Sequence, residues 1–407
     1  MLKMVDGTGI IGVDMVCPLG GTVSPPQPPN YDNVEMEGMG SLTLQNSLKA
    51  PFERLELIGN STQGENPSPD NPQEIKSAGR FDEASGKYLF DVKVTGKNLF
   101  DINNYVGSIK KISESEFHTE AKWGTLIGDI NLKTGGKYNI SYTFEIDSIT
   151  NSDCGVRIKC TKSDGTVSYI FDLPKMIGYV CNYTKSAIVP VDTVKCEILL
   201  YTDVKLKIGG AFKKLMIAEE SENVALNIYQ PYTEQTLTLT SDRPITKWDK
   251  LVEQGGSMGW LYSGKIAKEF TFVSKASDEN ISGRIRRRFK TSLNGKFPQT
   301  DKVMCNFLTT DNVRNDYSIG IVGSGDIYIY FYENAGVETL EQANHWLKNL
   351  PFEKTIIFER KTTEFVPLSE SEQTQLRNLH SYNGTTNITV DSGEVPCGIK
   401  LTYRKEK

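Results

Sequence analysis

Histidine is almost absent from this chain, with three residues among 407. Imidazole titrates near neutral pH and is the commonest metal ligand, so the shortage leaves few acid–base groups and few metal ligands. His118, His345 and His380 lie in separate segments, and no G-x-S-x-G, H-E-x-x-H or Cys/His signature accompanies them. We therefore expect a protein that is not an enzyme and that carries no cofactor and no metal.

Paired cysteines and long apolar runs are also missing. The seven cysteines form no C-x-x-C motif, which argues against a zinc site or a disulfide framework and favours reduced thiols used as small core residues. Four of them, Cys154, Cys160, Cys181 and Cys196, fall in one region, so a metal or disulfide alternative stays open there. No run of 18 apolar residues and no secretory signal is seen, which favours cytosolic synthesis.

An excess of positive charge is absent too. Lys and Arg total 46 against 51 Asp and Glu, a formal charge of −5, whereas a dedicated nucleic-acid-binding protein normally presents a basic face. Glycine (35), tyrosine (18) and phenylalanine (17) are abundant instead. This composition favours a β-rich protein with a binding or structural role.

Alternating apolar residues are the main structural signal. In residues 138–146, Tyr138, Ile140, Tyr142, Phe144 and Ile146 fall on one face of a strand, with polar residues on the other. GVRIKCTK, SDGT and VSYIFDL read as a hairpin, and SLTLQN, FERLELIG, KYLFDVKVTG, KCEILLY and GDIYIYFY as further strands. The pattern predicts a mainly β protein: an antiparallel β-sandwich or jelly roll, plus a second β-rich domain with two short helices.

The two helices are predicted from capping boxes at Thr339 and Ser369. Composition shifts then divide the chain into four parts. Residues 1–40 form an N-terminal arm with the proline-rich spacer SPPQPPN, residues 41–97 an attachment module, residues 98–232 the jelly roll, and residues 233–407 the C-terminal β-rich domain.

Two stretches carry a resemblance to a known family. NSLKAPFERLELIGNSTQGENPSPDNPQEIKSAG (residues 46–79) with VKVTGKNLFD (residues 92–101) resembles an opening module of tail and minor structural proteins from phages and prophages of Gram-positive bacteria. KKLMIAEESENVALNIYQPY (residues 213–232) is similar to the closing segment of their carbohydrate-binding-module-like jelly rolls. The usual Gln-Leu-Glu is replaced by residues 216–219, Met-Ile-Ala-Glu, so no specific sugar contact is transferred. Residues 337–387 are similar to the C-terminal part of the same proteins.

The resemblance implies a tail or baseplate protein located in the virion and made in the cytoplasm of the host bacterium. Its expected partners are other virion tail or baseplate proteins, host cell-surface polysaccharide, and further copies of itself, a trimer by analogy. Neither nucleic acid nor membrane insertion is expected. Two alternatives stay open: a purely architectural adaptor or decoration subunit, and a polysaccharide-cleaving spike, which would need a pair of carboxylates across the scissile bond.

Aromatic side chains beside polar turns are candidates for sugar binding, because rings stack on the apolar faces of pyranoses. Trp123, Tyr183 and Tyr201 are the candidates in the predicted jelly roll, whereas Tyr142 and Phe144 are assigned to its core.

The segment GRIRRRFK (residues 283–290) is the strongest charge run of the sequence. In a strand, Arg284, Arg286 and Arg288 would share one face. Guanidinium groups aligned in this way could hold phosphates by bidentate hydrogen bonds, or pair with acidic residues of an adjoining subunit.

Overall fold

The computed structural model describes residues 3–5, 9–11, 31–46, 49–104, 109–119, 125–150, 153–201, 209–220, 228–281, 283–297, 302–310 and 316–406. These ranges contain thirty strands and two α-helices, numbered here in chain order.

The first half of the chain contains β1 (Lys3–Val5), β2 (Gly9–Ile11), β3 (Tyr31–Met39), β4 (Ser41–Asn46), β5 (Phe52–Ile58), β6 (Ser61–Gln63), β7 (Ile75–Ser77), β8 (Arg80–Asp82), β9 (Lys87–Thr95), β10 (Ile109–Ser113), β11 (Glu116–Thr119), β12 (Thr125–Asp129), β13 (Lys137–Thr150), β14 (Gly155–Lys162), β15 (Val167–Ile170), β16 (Gly178–Ile188) and β17 (Thr193–Tyr201). The second half contains β18 (Gly210–Glu219), β19 (Glu234–Ser241), β20 (Lys250–Gln254), β21 (Ser257–Ala267), β22 (Phe272–Lys275), β23 (Glu279–Ile281), β24 (Arg284–Asn294), β25 (Val303–Cys305), β26 (Tyr317–Val322), β27 (Asp326–Tyr332), α1 (Leu340–Asn349), β28 (Ile356–Pro367), α2 (Glu370–Asn378), β29 (Gly384–Asp391) and β30 (Gly398–Glu406).

The predicted mainly β, antiparallel fold is confirmed. Every pairing between these strands is antiparallel, and both predicted helices begin where their capping boxes lie. Thr339 and Ser369 each accept a hydrogen bond from the third residue of their helix, whose side chain bonds back to the cap. The sequence signature works because it supplies a partner for helix-terminal N–H groups.

A two-sheet sandwich forms between residues 98 and 220 and has its own hydrophobic core. One sheet has the strand order β10-β11-β18-β13-β16, and the other β12-β17-β14-β15. Tyr138, Ile140, Tyr142, Phe144 and Ile146 of β13 are all buried in this core, as the period of two predicts. We call this unit the jelly roll.

A second sandwich combines strands from distant parts of the sequence. Its seven-stranded sheet has the order β25-β28-β21-β20-β5-β30-β3, and its facing sheet has the order β19-β9-β29-β4. Both sheets and α2 share one core, which includes Phe90, Trp260, Leu376 and Leu401. We call this unit the split sandwich, because the jelly roll is inserted between β9 and β19.

A third core lies within the C-terminal part of the chain. The sheet β22-β24-β27-β26 packs with α1 around Phe289, Phe331 and Phe358. Trp346 of α1 stacks on Tyr317, with 5.3 Å between ring centroids, and fixes the helix against the sheet.

The prediction that residues 41–97 form a separate module is wrong. β5 lies between β20 and β30, and β9 lies between β19 and β29, so this segment has no core of its own. The physical reason is that a segment of short strands cannot cover both of its apolar faces, and the C-terminal strands supply the missing neighbours. The expected arm also ends earlier, because β3 pairs along its whole length with β30. The proline-rich spacer lies outside the described residues.

Candidate functional site

The jelly roll and the split sandwich are joined by two crossing segments, and Asn98 ties them together. Its side-chain amide donates to the carbonyl oxygens of Leu215 and Gln230, both at 3.1 Å. Its oxygen accepts from the backbone N–H groups of Phe100 at 3.0 Å and Ile217 at 3.2 Å. The buried Asn98 side chain thus uses both donors and its acceptor. This fixes the path of the chain into and out of the jelly roll.

Beside this junction, a cleft of about 630 Å³ opens between the two units. The jelly-roll wall includes residues from the start of the insertion, from β12 and its following loop, and from the end of β18. The opposite wall comes from β4, β9 and β29 of the split sandwich. Apart from two tyrosines, the polar side chains on the two walls are Ser41, Thr43, Asp91, Lys93, Thr95, Asp101, Asn104, Asp129, Asn131, Lys133, Glu219, Asn387, Thr389 and Asp391.

A polar bridge crosses the cleft at Thr43. The Thr43 hydroxyl lies 3.0 Å from a Glu219 carboxylate oxygen and 3.0 Å from Asn387 Oδ1, and it can donate to one of them at a time. Lys133 Nζ donates to the same hydroxyl at 2.9 Å and lies 3.7 Å from Glu219. The charged side chains of Lys133 and Glu219 in the jelly roll therefore contact Thr43 of the split sandwich, which also lies against Asn387.

Tyr232 is an aromatic side chain on the cleft wall and is only partly exposed. Its hydroxyl donates to Glu234, and that carboxylate pairs with Lys93 at 2.8 Å. Burial, together with the neighbouring Glu234 carboxylate, raises the pKa of Tyr232. The hydroxyl therefore remains protonated at physiological pH and stays a donor.

Asp101 provides a carboxylate that has no cationic partner within the described ranges. One of its oxygens accepts from Asn103 N at 2.8 Å, and it has no ion pair with any residue in the described part of the chain. Asp129, in contrast, lies 3.3 Å from Lys195. A cleft with one tyrosine ring and carboxylate, amide and hydroxyl groups offers the side-chain types that hold a polyhydroxylated ligand.

The three histidines do not contribute to this cleft. His118 Nε2 lies 3.0 Å from an Asp147 carboxylate oxygen, whereas His345 contacts Asn349 and His380 contacts the Asn378 carbonyl. Within the described ranges, no three His, Cys, Asp or Glu side chains are grouped so that they could hold a metal ion. No helix described here is long and apolar enough to cross a membrane.

Of the predicted sugar-binding residues, Tyr183 lies in the jelly-roll core. It is 7% exposed, its ring centroid is 5.1 Å from that of Tyr142, and its hydroxyl donates to the Asp172 carbonyl. A ring enclosed in this way has no face available for a sugar. The sequence could not separate a rim tyrosine from a core tyrosine, because β16 lies at the sheet edge and exposes most of its other residues.

Tyr201 lies on the outer face of the four-stranded sheet, yet it is only 5% exposed. The Arg157 guanidinium lies 5.6 Å from its ring centroid and 6.0 Å from that of Tyr169, which is half exposed. So little of the Tyr201 ring is exposed that it has no face available for a sugar. Tyr232 also has a cation near its ring, with Lys93 Nζ 5.5 Å from the centroid, but more of that side chain is exposed. Trp123 lies outside the described residues, so its assignment stays a prediction.

The predicted arginine face exists on β24. Arg284, Arg286 and Arg288 project from the same side of the strand. The guanidinium carbon of Arg284 lies 4.7 Å from the ring centroid of Tyr332, and that of Arg286 lies 4.5 Å from the ring of Tyr330. The arginines cover two tyrosines of β27 that are themselves buried.

The acidic partners of these arginines come from the same chain, not from an adjoining subunit. Glu279 pairs with both Arg286 and Arg288, and Asp316 accepts from Arg284 at 2.7 Å. The pairs form within one sheet, because β23 pairs with β24, and Asp316 immediately precedes β26, which lies on the far side of β27. An anionic ligand would have to displace these carboxylates, so the face is less suited to phosphate than the sequence suggests.

The cysteines are free thiols wherever they are described, and Cys160 and Cys196 approach to 3.9 Å between their sulfur atoms in the jelly-roll core. Burial raises the pKa of the Cys305 thiol to about 12. Both observations agree with the interpretation of the cysteines as small core residues.

Sequence reasoning missed the residues that build the cleft. Asn98 stands in the GKNLFD motif and Tyr232 ends the QPY closing segment, so the family-like stretches contained a signal for both. The sequence holds no such signal for Thr43, Lys133 and Glu219, because these residues become neighbours only when the two units pack together.

Comparison with known proteins adds little. No protein-family model and no curated protein matches this chain. A structure of the Gt strain of infectious bursal disease virus matches at 7% identity over 95% of this chain and 86% of that chain, with a TM-score of 0.15. T=1 particles derived from infectious bursal virus match at 6% identity over 97% and 86% of the two chains, again with a TM-score of 0.15. At this TM-score the likeness carries no argument about fold or function.

Proposed function

We propose that this chain is a structural protein of a phage or prophage tail, near the baseplate, and that it contributes to recognition of host cell-surface glycans. The family-like stretches at residues 46–101 and 213–232 support the tail assignment. The observation that carries the glycan proposal is the cleft. It combines the Tyr232 ring with amide and hydroxyl groups and with the Asp101 carboxylate, which forms no ion pair with any residue that the structure describes.

The proposed activity is binding without chemical conversion. His118, His345 and His380 lie in separate elements, and each contacts a residue outside the cleft, so none of them supplies an acid–base group there. A single shallow site of this kind binds weakly, but several copies on one particle raise the effective concentration of the next site. Attachment to a host surface therefore depends on the assembled oligomer.

Binding of the assembled protein to host cell walls and to a glycan array tests the proposal. Tyr232→Ala removes the ring, and we expect a loss of roughly tenfold in affinity per site, as for a lost aromatic contact. Tyr169→Ala is the matched control, since it removes a half-exposed jelly-roll tyrosine outside the cleft. Trp123→Ala tests the remaining sequence candidate.

If the assembled protein binds no glycan, or if both tyrosine variants bind equally well, the glycan proposal is wrong. Release of reducing ends from host polymer would instead establish a polysaccharide-cleaving spike. The second candidate, a purely architectural subunit, is favoured by the large apolar side chains exposed on the jelly roll, such as Ile177 and Val194. It requires these side chains to be covered in the particle, and a map of the intact particle would show whether they are.

A further inference from the structure

The two outer strands of the five-stranded jelly-roll sheet differ sharply. β10, at one edge, has five residues, two of which are lysines. β16, at the other edge, has eleven residues with no proline, no acidic residue and only Lys185 as a charge. Proteins usually protect an edge strand by keeping it short or by charging it, because its free backbone groups can pair with another strand. β10 is protected in this way and β16 is not.

The backbone of β16 offers a regular row of unpaired groups. Val189 donates to Gly136 and accepts from Gly135, both at 2.9 Å, so its N–H and C=O groups point towards β13. Since these groups alternate along a strand, those of Val180, Asn182, Thr184, Ser186 and Ile188 point away from β13. They have no backbone partner among the described residues.

The side chains of the same five residues lie on the outer face and are exposed. Val180 is 52% exposed and Ile188 is 59% exposed. Just beyond the two ends of the strand, Ile177 is 83% and Val191 is 66% exposed. Apolar side chains of this size at both ends of an open edge suit a surface that a partner covers.

We propose that β16 is a homodimer interface, in which it pairs antiparallel with β16 of a second copy across a two-fold axis at Thr184. In an antiparallel pair, a residue whose backbone groups point outward must lie opposite another such residue. When the two strands are identical, the two-fold axis therefore passes between the two copies of one residue. An axis at Thr184 places Val180 opposite Ile188 in both halves of the pair. It also brings Ile177 of each copy level with Val191 of the other.

A second copy fits this edge better than an unrelated partner does. The apolar residues lie at equal distances from Thr184, four positions away for Val180 and Ile188. The two-fold pairing therefore covers both apolar ends at once. Lys185 of one copy falls opposite Tyr183 of the other, so the two lysines do not face each other. The proposal goes beyond glycan binding and does not depend on it.

A single cysteine substitution tests the register. Thr184→Cys brings two identical positions into direct opposition, with Cα atoms about 5.5 Å apart, within the range that a disulfide spans. Ser186→Cys is the matched control on the same face. In the proposed register its two copies are offset by four residues, about 14 Å along the strands. Mild oxidation of the full chain should give a covalent dimer for Thr184→Cys only, as seen on a non-reducing gel.

Analytical ultracentrifugation of the full chain measures its oligomeric state without cross-linking. We expect a particle of twice 45.4 kDa at micromolar concentration. Val180→Lys should shift it to the monomer without changing thermal unfolding of the monomer, since the side chain points to solvent there. Adding Ile188→Glu should restore the dimer in low salt, because the new charges face each other.

A wild-type chain that sediments as a monomer or as a trimer overturns the proposal. So does equal cross-linking of the Thr184→Cys and Ser186→Cys variants, which would reflect random collision. Failure of Ile188→Glu to restore the Val180→Lys variant would refute the register at Thr184.

Discussion

The jelly roll and the split sandwich are both two-layered β structures, yet they are assembled in opposite ways. The jelly roll is built from strands that follow one another between residues 98 and 220. The split sandwich needs β5 and β9 from the start of the chain between strands that come about 150 to 350 residues later. Local pairing lets a unit close by itself, whereas distant pairing makes two ends of the chain depend on each other.

The largest expected effect is a loss of stability that stays within one unit when a residue of its core is truncated. Phe212 is fully buried in the jelly roll, with its ring centroid 4.3 Å from that of Phe144 and 5.3 Å from that of Phe117. Phe212→Ala should lower the free energy of unfolding of the jelly roll by about 3–5 kcal/mol. Hydrogen exchange, read strand by strand, should show lost protection in β13 and β18 and unchanged protection in β5 and β30.

Leu401→Ala in β30 is the matched substitution in the split sandwich, where Leu401 is fully buried. It should cost about 2–5 kcal/mol and remove protection from β5 and β9 together, because the two sheets share one core. Equal loss of protection in both units after either substitution would show that the two units unfold together. The jelly roll would then not be an independent unit.

An intermediate effect is expected at the junction of the two units. Asn98→Ala leaves the N–H groups of Phe100 and Ile217 and two carbonyl oxygens without their partner. Unsatisfied buried groups of this kind destabilise a protein by about 1–3 kcal/mol. Differential scanning calorimetry should show the transitions of the two units moving apart, and Asn103→Ala, at an exposed site nearby, should leave them in place.

The smallest effect is expected at the start of α2, which packs on the split sandwich alone. Burial opposes ionisation of Glu372, but hydrogen bonds from Ser369 and Thr240 outweigh it and lower the pKa of this carboxyl. A lowered pKa stabilises the folded state above the unfolded-state value and loses that contribution as pH falls through the folded value.

Ser369→Ala removes the cap, which should cost about 1 kcal/mol at neutral pH. The difference from the wild type should shrink in acid as Glu372 is protonated in both proteins. Urea titrations at several pH values measure this, and a difference that grows in acid would contradict the assignment.

Local patterns predicted most of the individual elements. The alternation in β13 and the two capping boxes were read correctly because each depends on residues a few positions apart. The site was predicted poorly. The sequence predicts Tyr183 as a sugar-binding residue beside a polar turn, but the pleat of β16 directs its side chain inward against Tyr142. For the arginine face the sequence predicts either phosphate or an adjoining subunit as the partner, but Glu279 of β23 and Asp316, just before β26, supply the carboxylates from the same chain.

The sequence by itself determined a β-rich chain with few acid–base groups, an aligned arginine strand and two capped helices. These features follow from side-chain periodicity and composition, which act over short stretches. Only the tertiary structure decided that residues 41–97 complete a sandwich with the C-terminal strands. It alone brought Thr43, Lys133 and Glu219 together across a cleft. Strand partners are chosen by the burial of whole sheet faces, and that choice is made between segments hundreds of residues apart.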